Sequence, residues 1–113
     1  MVERAGQRLE VLAALIETVA ARRGASPETS YTAKLVSQGL EKCAKKFGEE
    51  AVETVLAAVS GDRSHLMSET ADLIYHLIVL LNAANVSWSE VMTELERRSG
   101  TGGLTEKAAR KST

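Results

Sequence analysis

The run Leu73-Ile74-Tyr75-His76-Leu77-Ile78-Val79-Leu80-Leu81 sets the strongest condition on any fold of this chain. At the helical repeat its apolar side chains cover nearly the whole circumference rather than one stripe. A helix of that kind has to be covered on most sides, and the chain offers only 113 residues to cover it. The run is also too short to span a bilayer, and Tyr75 and His76 interrupt it. The hydrophobic fraction of 44% is ample for a core, yet only 4% is aromatic, so Ala, Leu and Val do the filling. With a single proline, that balance favours helices. The expectation is one all-α domain over residues 1–113, a helical bundle whose core is completed by a second copy in a homodimer.

Other helices follow from the spacing of apolar residues. Leu9, Leu12, Ile16 and Val19 predict a helix from about Gln7 to Arg23, stopped at Gly24. Ser26-Pro27 reads as a turn, and Tyr31 to Gly39 is weakly helical around Leu35 and Val36. Leu40 to Val59 carries a stripe of Leu40, Cys43, Ala44, Phe47, Ala51, Val55 and Val59. Ser60-Gly61-Asp62 closes that helix, and Asp62 or Ser64 caps the next, from Arg63 to about Ala84. Asn85 suits a left-handed helix exit. Ser87-Trp88-Ser89-Glu90 fits a capping box opening a last helix to about Arg98. The ends, 1–6 and 100–113, are expected to be flexible, with Leu104 as a late anchor.

Charge and cysteine content remove several classes of function. Fourteen Lys and Arg against 15 Asp and Glu leave a net charge of −1, so no basic field exists for wrapping nucleic acid. A lone Cys43 excludes an internal disulfide framework and a cysteine-based zinc site. Met1 to Gln7 is polar and lacks the apolar core of a secretory signal. A reduced, cytoplasmic protein without membrane or nucleic-acid partners is expected.

Acids carry the chemical information. Glu49, Glu50 and Glu53 occupy an arc of about 100° on one helix, placed by the periodicity opposite the Phe47, Ala51, Val55 stripe. Glu69 and Asp72 share a face of the next helix, extended by His65 and His76 four residues to either side. A short turn makes the two helices antiparallel neighbours, so Glu50 with Glu53 and Glu69 with Asp72 face a shared space. Clustered carboxylates must be protonated, paired with cations or bound to a metal. Oxygen ligands alone favour a hard ion, Mg²⁺ or Mn²⁺. The plainer alternative is a solvated charged face, with Lys46 and Glu50 paired along the helix. Lys42 and Lys46 fall on the acid side, to neutralise it or to meet phosphate; Lys45 reads as ordinary surface.

The pattern Glu49-Glu50-x-x-Glu53, then Glu69-x-x-Asp72, resembles the metal site of the all-α nucleoside-triphosphate pyrophosphatases related to MazG. Its surroundings narrow the resemblance. Ser30-Tyr31-Thr32-Ala33-Lys34-Leu35, Lys46-Phe47-Gly48-Glu49-Glu50-Ala51 and Ala71-Asp72-Leu73-Ile74-Tyr75-His76-Leu77 are similar to the phosphoribosyl-ATP pyrophosphatase family of histidine biosynthesis. The similarity runs from about Leu9 into Glu106-Lys107-Ala108-Ala109-Arg110. One departure, Asn85 where glycine is common, bears on a turn and not on chemistry.

The resemblance implies a MazG-like bundle that hydrolyses phosphoribosyl-ATP to phosphoribosyl-AMP and pyrophosphate, with Mg²⁺ taking charge on the phosphates. It implies Glu50, Glu53, Glu69 and Asp72 as metal ligands, and Glu49 to orient or deprotonate water or to hold a second metal. Ser30, Tyr31, Thr32 and Lys34 become candidates for substrate phosphate or ribose, against a helix cap with one solvent-facing lysine. His76 is either a satisfied core histidine or a supporting partner of Asp72. Lys107 and Arg110 close over substrate or belong to a solvated tail. A functional link to phosphoribosyl-AMP cyclohydrolase, which takes the product, is implied too. Two alternatives remain at this point: a housekeeping pyrophosphatase for dUTP or dCTP, and a non-catalytic helical dimerisation or adaptor module.

Overall fold

A computed structural model of the chain describes residues 6–100. Leu104, Lys107 and Arg110, and the expectation of flexible ends beyond Gly6 and Gly100, lie outside the described residues. The architecture is all-α: α1 Leu9–Arg22, α2 Tyr31–Ser37, α3 Leu40–Ser60, α4 Arg63–Ala83 and α5 Trp88–Gly100. Among the described residues there is no strand, and no helix is long and apolar enough to cross a membrane.

The boundaries fall where the local chemistry puts them. Ser30 caps α2 by accepting from the Ala33 amide, and Asp62 caps α4 by accepting from the His65 amide at 3.0 Å. Ser87 and Glu90 form the reciprocal capping box: the Glu90 amide donates to Ser87 Oγ, and the Ser87 amide donates to Glu90 Oε1 at 2.7 Å. Gly39 (φ 98) and Gly61 (φ 80) break the chain on either side of α3 in conformations that L side chains resist. Asn85 takes the left-handed exit after α4, at φ 59.

The long antiparallel α3–α4 hairpin is the frame; α1 packs on α4, and α2 packs on both α3 and α4. Val19, Leu35, Cys43, Ile78 and Val79 form the buried core, one or two residues from each of four helices. Each large aliphatic group buried there contributes roughly 1.5–3 kcal/mol. Cys43 donates its thiol to the Leu35 carbonyl, and burial pushes that thiol above its ordinary pKa, so it packs as an inert group. No residue from Leu73 to Leu81 is exposed, as the all-round apolar run requires.

The apolar stripe of α3 needs correction. The face turned to α4 carries Cys43, Phe47, Glu50, Thr54 and Ala57, whereas Val55 and Val59 are exposed at 60% and 78%. Val52 and Leu56 are exposed beside them. α3 is therefore apolar on two opposite sides, and periodicity alone selects neither. Small Ala57 and hydrogen-bonded Thr54 let the helices approach closely, while the bulkier valines point away. Consequently the acid arc is not opposite the packed face; its Glu50 end lies on it.

Candidate metal centre

Glu50 leaves the packed face of α3 toward α4, where Glu69 and Asp72 sit three residues apart on one side. Each of the three offers a carboxylate oxygen within 4.8 Å of the other two. Glu50 and Glu69 are half-buried and Asp72 is exposed, so the cluster opens to solvent at one edge. Burial, above all, raises the proton affinity of Glu50; the hydrogen-bonded Glu69 carboxyl and the Asp72 charge add to it, and Lys46 only partly offsets them. Crowded like charges of this kind are relieved by a cation, and an oxygen-only donor set suits a hard one.

Glu53 does not join the three. It lies about 60° around α3 from Glu50 and is exposed, because α4 contacts the helix on the Glu50–Thr54 side. Glu49 is exposed further around the same flank, with Lys46 Nζ 3.6 Å from its Oε1. His65 Nε2 lies 3.3 Å from Glu69 Oε2. Lys42, like Lys45, is exposed.

His76 continues the Glu69–Asp72 stripe inward and is 6% exposed. Burial lowers its pKa, followed by the nearby Lys46 charge, against the opposing pull of Asp72 and Glu49. Its Nδ1 is buried without a hydrogen-bond partner among the described residues. The ring packs edge-on against Tyr75 at 5.1 Å and Tyr31 at 6.4 Å. Tyr31 stacks on Tyr75, whose hydroxyl is hydrogen-bonded to buried Thr32. Thr32 is thus a structural prop rather than an open ligand. Tyr31 is 55% exposed and, with Ser30, Lys34 and Pro27, lines an open cavity of about 580 Å³. His76 touches the Tyr31 ring that lines the cavity and lies one helical turn beyond Asp72 on α4. A second cavity, of about 500 Å³ between Ile16, Arg23 and Trp88, involves none of the five predicted acids.

One contributor is illegible from residue type. Thr54 Oγ1 donates to the backbone carbonyls of both Glu50 and Glu69. A threonine four residues after an acid on an otherwise apolar helix face is the only sequence signal for it.

The fold and site define an all-α bundle with three convergent carboxylates on a two-helix hairpin, a class of arrangement that can hold a hard cation against phosphate groups. Comparison with known proteins specifies the family. Residues 12–99 match the family described as Phosphoribosyl-ATP pyrophosphohydrolase, and the chain belongs to it. It is 58% identical over 102 residues to the phosphoribosyl-ATP pyrophosphatase of Dinoroseobacter shibae, covering 90% of this chain and 100% of the relative. It is 59% identical to that of Cereibacter sphaeroides over 102 residues, 90% and 99% of the two chains. With that of Paracoccus denitrificans it shares 61% over 97 residues, 86% and 90%.

Proposed function

We propose that this chain is a cytoplasmic Mg²⁺-dependent phosphoribosyl-ATP pyrophosphatase that releases pyrophosphate and phosphoribosyl-AMP, the second step of histidine biosynthesis. The observation that carries the reading is the near-complete overlap, at 58% identity, with a relative of that name. The Glu50, Glu69 and Asp72 carboxylates would hold the cation, with Mn²⁺ as an alternative occupant, and Glu53, one turn along the same helix from Glu50, is the fourth candidate ligand. When bound, the cation supplies positive charge to the phosphate oxygens as negative charge builds on the leaving group.

Glu49 takes a proton from the water that attacks the α-phosphorus; the new P–O bond forms as the bond to pyrophosphate breaks. Its exposure beside Lys46 leaves it free to meet water, unlike crowded Glu50. Lys46 and Lys42 offer charge to the phosphates. Tyr31, Ser30 and Lys34 offer a ring, a hydroxyl and a cation to the rest of the nucleotide, with Thr32 and His76 supporting them. Burial disfavours the charged form of His76, which suits a supporting role for the Asp72 side. A homodimer is supported by the outward face of α3, where Val52, Val55, Leu56 and Val59 are all exposed. The product passes to phosphoribosyl-AMP cyclohydrolase in this reading.

Pyrophosphate release from phosphoribosyl-ATP, dUTP and dCTP, with Mg²⁺ or with EDTA, tests the assignment. Release from phosphoribosyl-ATP that EDTA abolishes is expected; preference for dUTP or dCTP would overturn the pathway, and release from none would overturn the enzyme. Glu49→Gln is expected to lower turnover by about 100-fold or more while Mn²⁺ affinity stays unchanged. Full turnover in that variant removes Glu49 as the base.

A further inference from the structure

Thr54 lies one helical turn beyond Glu50, half-buried where α3 meets α4. Its hydroxyl donates to the Glu50 carbonyl oxygen at 2.8 Å and to the Glu69 carbonyl oxygen at 3.2 Å. The first contact is the ordinary bond of a helical threonine back to residue i−4. The second is not local. It crosses to the other helix, 15 residues on, and ends on the main chain of another member of the carboxylate cluster. Thr70 provides the contrast: its hydroxyl makes a bond of the local kind, to the Leu66 carbonyl at 2.7 Å.

A hydroxyl has one hydrogen, so the two carbonyls share it in a three-centre bond. Both carbonyls lie inside helices and already accept main-chain bonds, so removing the hydroxyl orphans neither. The bond therefore adds little to helix formation. It sets the offset between α3 and α4 at the level where the Glu50 and Glu69 side chains leave their backbones. Those side chains repel when ionised, and the clamp resists the splaying that repulsion would drive. Mg²⁺ tolerates only a narrow range of ligand distances, near 2.0–2.1 Å to within roughly 0.1 Å, so a small drift between the helices is felt first at the ligands.

We propose that Thr54 is a positioning residue: its hydroxyl ties α3 to α4 through the main chains of Glu50 and Glu69 and so holds their carboxylates at the separation a divalent cation requires. The inference rests on the metal reading of the site given above.

Calorimetric titration of the full-length, metal-free protein with Mn²⁺ alone tests it, on wild type, Thr54→Val, Thr54→Ser and Thr70→Val, each checked for folding by circular dichroism. Thr54→Val is expected to fold and to lose about 10-fold or more in Mn²⁺ affinity, while Thr54→Ser and Thr70→Val stay within about twofold of wild type. Thr54→Ala makes the same comparison where valine's second methyl disturbs the contact. In turnover, Thr54→Val lowers kcat and leaves KM for the nucleotide unchanged. Wild-type affinity in Thr54→Val, or an equal loss in Thr54→Ser, overturns the proposal. If wild type binds Mn²⁺ and releases pyrophosphate while Thr54→Val matches it, the Thr54 role alone falls. If wild type binds no Mn²⁺, the metal reading falls and the Thr54 role falls with it.

Discussion

Glu50 stands at the junction of packing and chemistry. Its half-buried position on the α3–α4 contact raises its proton affinity, so the metal-free protein gains from keeping it protonated. That contribution is complete below the ordinary glutamate value of about 4.5, and it is lost as the pH rises through the higher value of the folded state. Once ionised, Glu50 adds to a crowded set of carboxylates, and a bound cation relieves that repulsion. Mg²⁺ at about 100 times its Kd should stabilise the fold by roughly 2.7 kcal/mol. Thermal unfolding is therefore expected to show a rise in Tm of several degrees with Mg²⁺ at pH 7 and a smaller one at pH 4.5. Equal shifts at both pH values would separate the metal from Glu50. Its membership of an i, i+3 acid pattern was legible in the sequence; its difference in burial from Glu49 and Glu53 was not. Three acids within one turn look alike in sequence, and only the direction of the neighbouring helix distinguishes them.

Helices are where local rules hold best. The capping box at Ser87–Glu90, the Asp62 cap and the left-handed Gly61 are all short-range devices; residue type indicates the first and the last, and the structure chooses Asp62 over Ser64 for the α4 cap. Gly61 turns the α3–α4 hairpin with φ 80 and open space around its Cα, so a side chain there meets no clash beyond its own backbone. Gly61→Ala is expected to destabilise the protein by about 1–2 kcal/mol in denaturant melts, the cost of a Cβ in the left-handed region. In α5 the last turn is locked differently. Arg97 and Arg98 both donate to Glu94, which holds its carboxyl down to about 2. A lowered folded value means that this contribution is present above about 4.5 and is lost as the pH falls toward 2. Glu94 followed by NMR should titrate near 2, with the end of α5 loosening in the same range; a midpoint above 4 would remove the pairing.

The whole molecule is decided by which of α3's two apolar sides is covered by its own chain. α4 takes the side of Cys43, Thr54 and Ala57, and Val52, Val55, Leu56 and Val59 are left facing outward. If a second copy covers that face, Val55→Asp is expected to shift the protein from dimer to monomer in size-exclusion chromatography with light scattering. Charge in a dry interface costs several kcal/mol, enough to split a contact of ordinary size. A wild-type monomer would remove the dimer altogether, and a variant dimer unchanged in mass would place the interface elsewhere. By itself the sequence determined the helical class, the helix boundaries within a few residues, the pattern of acids on two neighbouring helices and, through its motifs, the resemblance to a family. Those properties depend on neighbours within a turn or on residue identity. Only the tertiary structure decided that Glu50, Glu69 and Asp72 converge while Glu53 stands apart, that His76 is buried beside the Tyr31–Tyr75 stack, and that Thr54 ties the two acid-bearing helices together. The physical reason is rotational: a helix with apolar residues on two sides has two packings of similar merit, and the choice between them lies in how its partner's side chains fit.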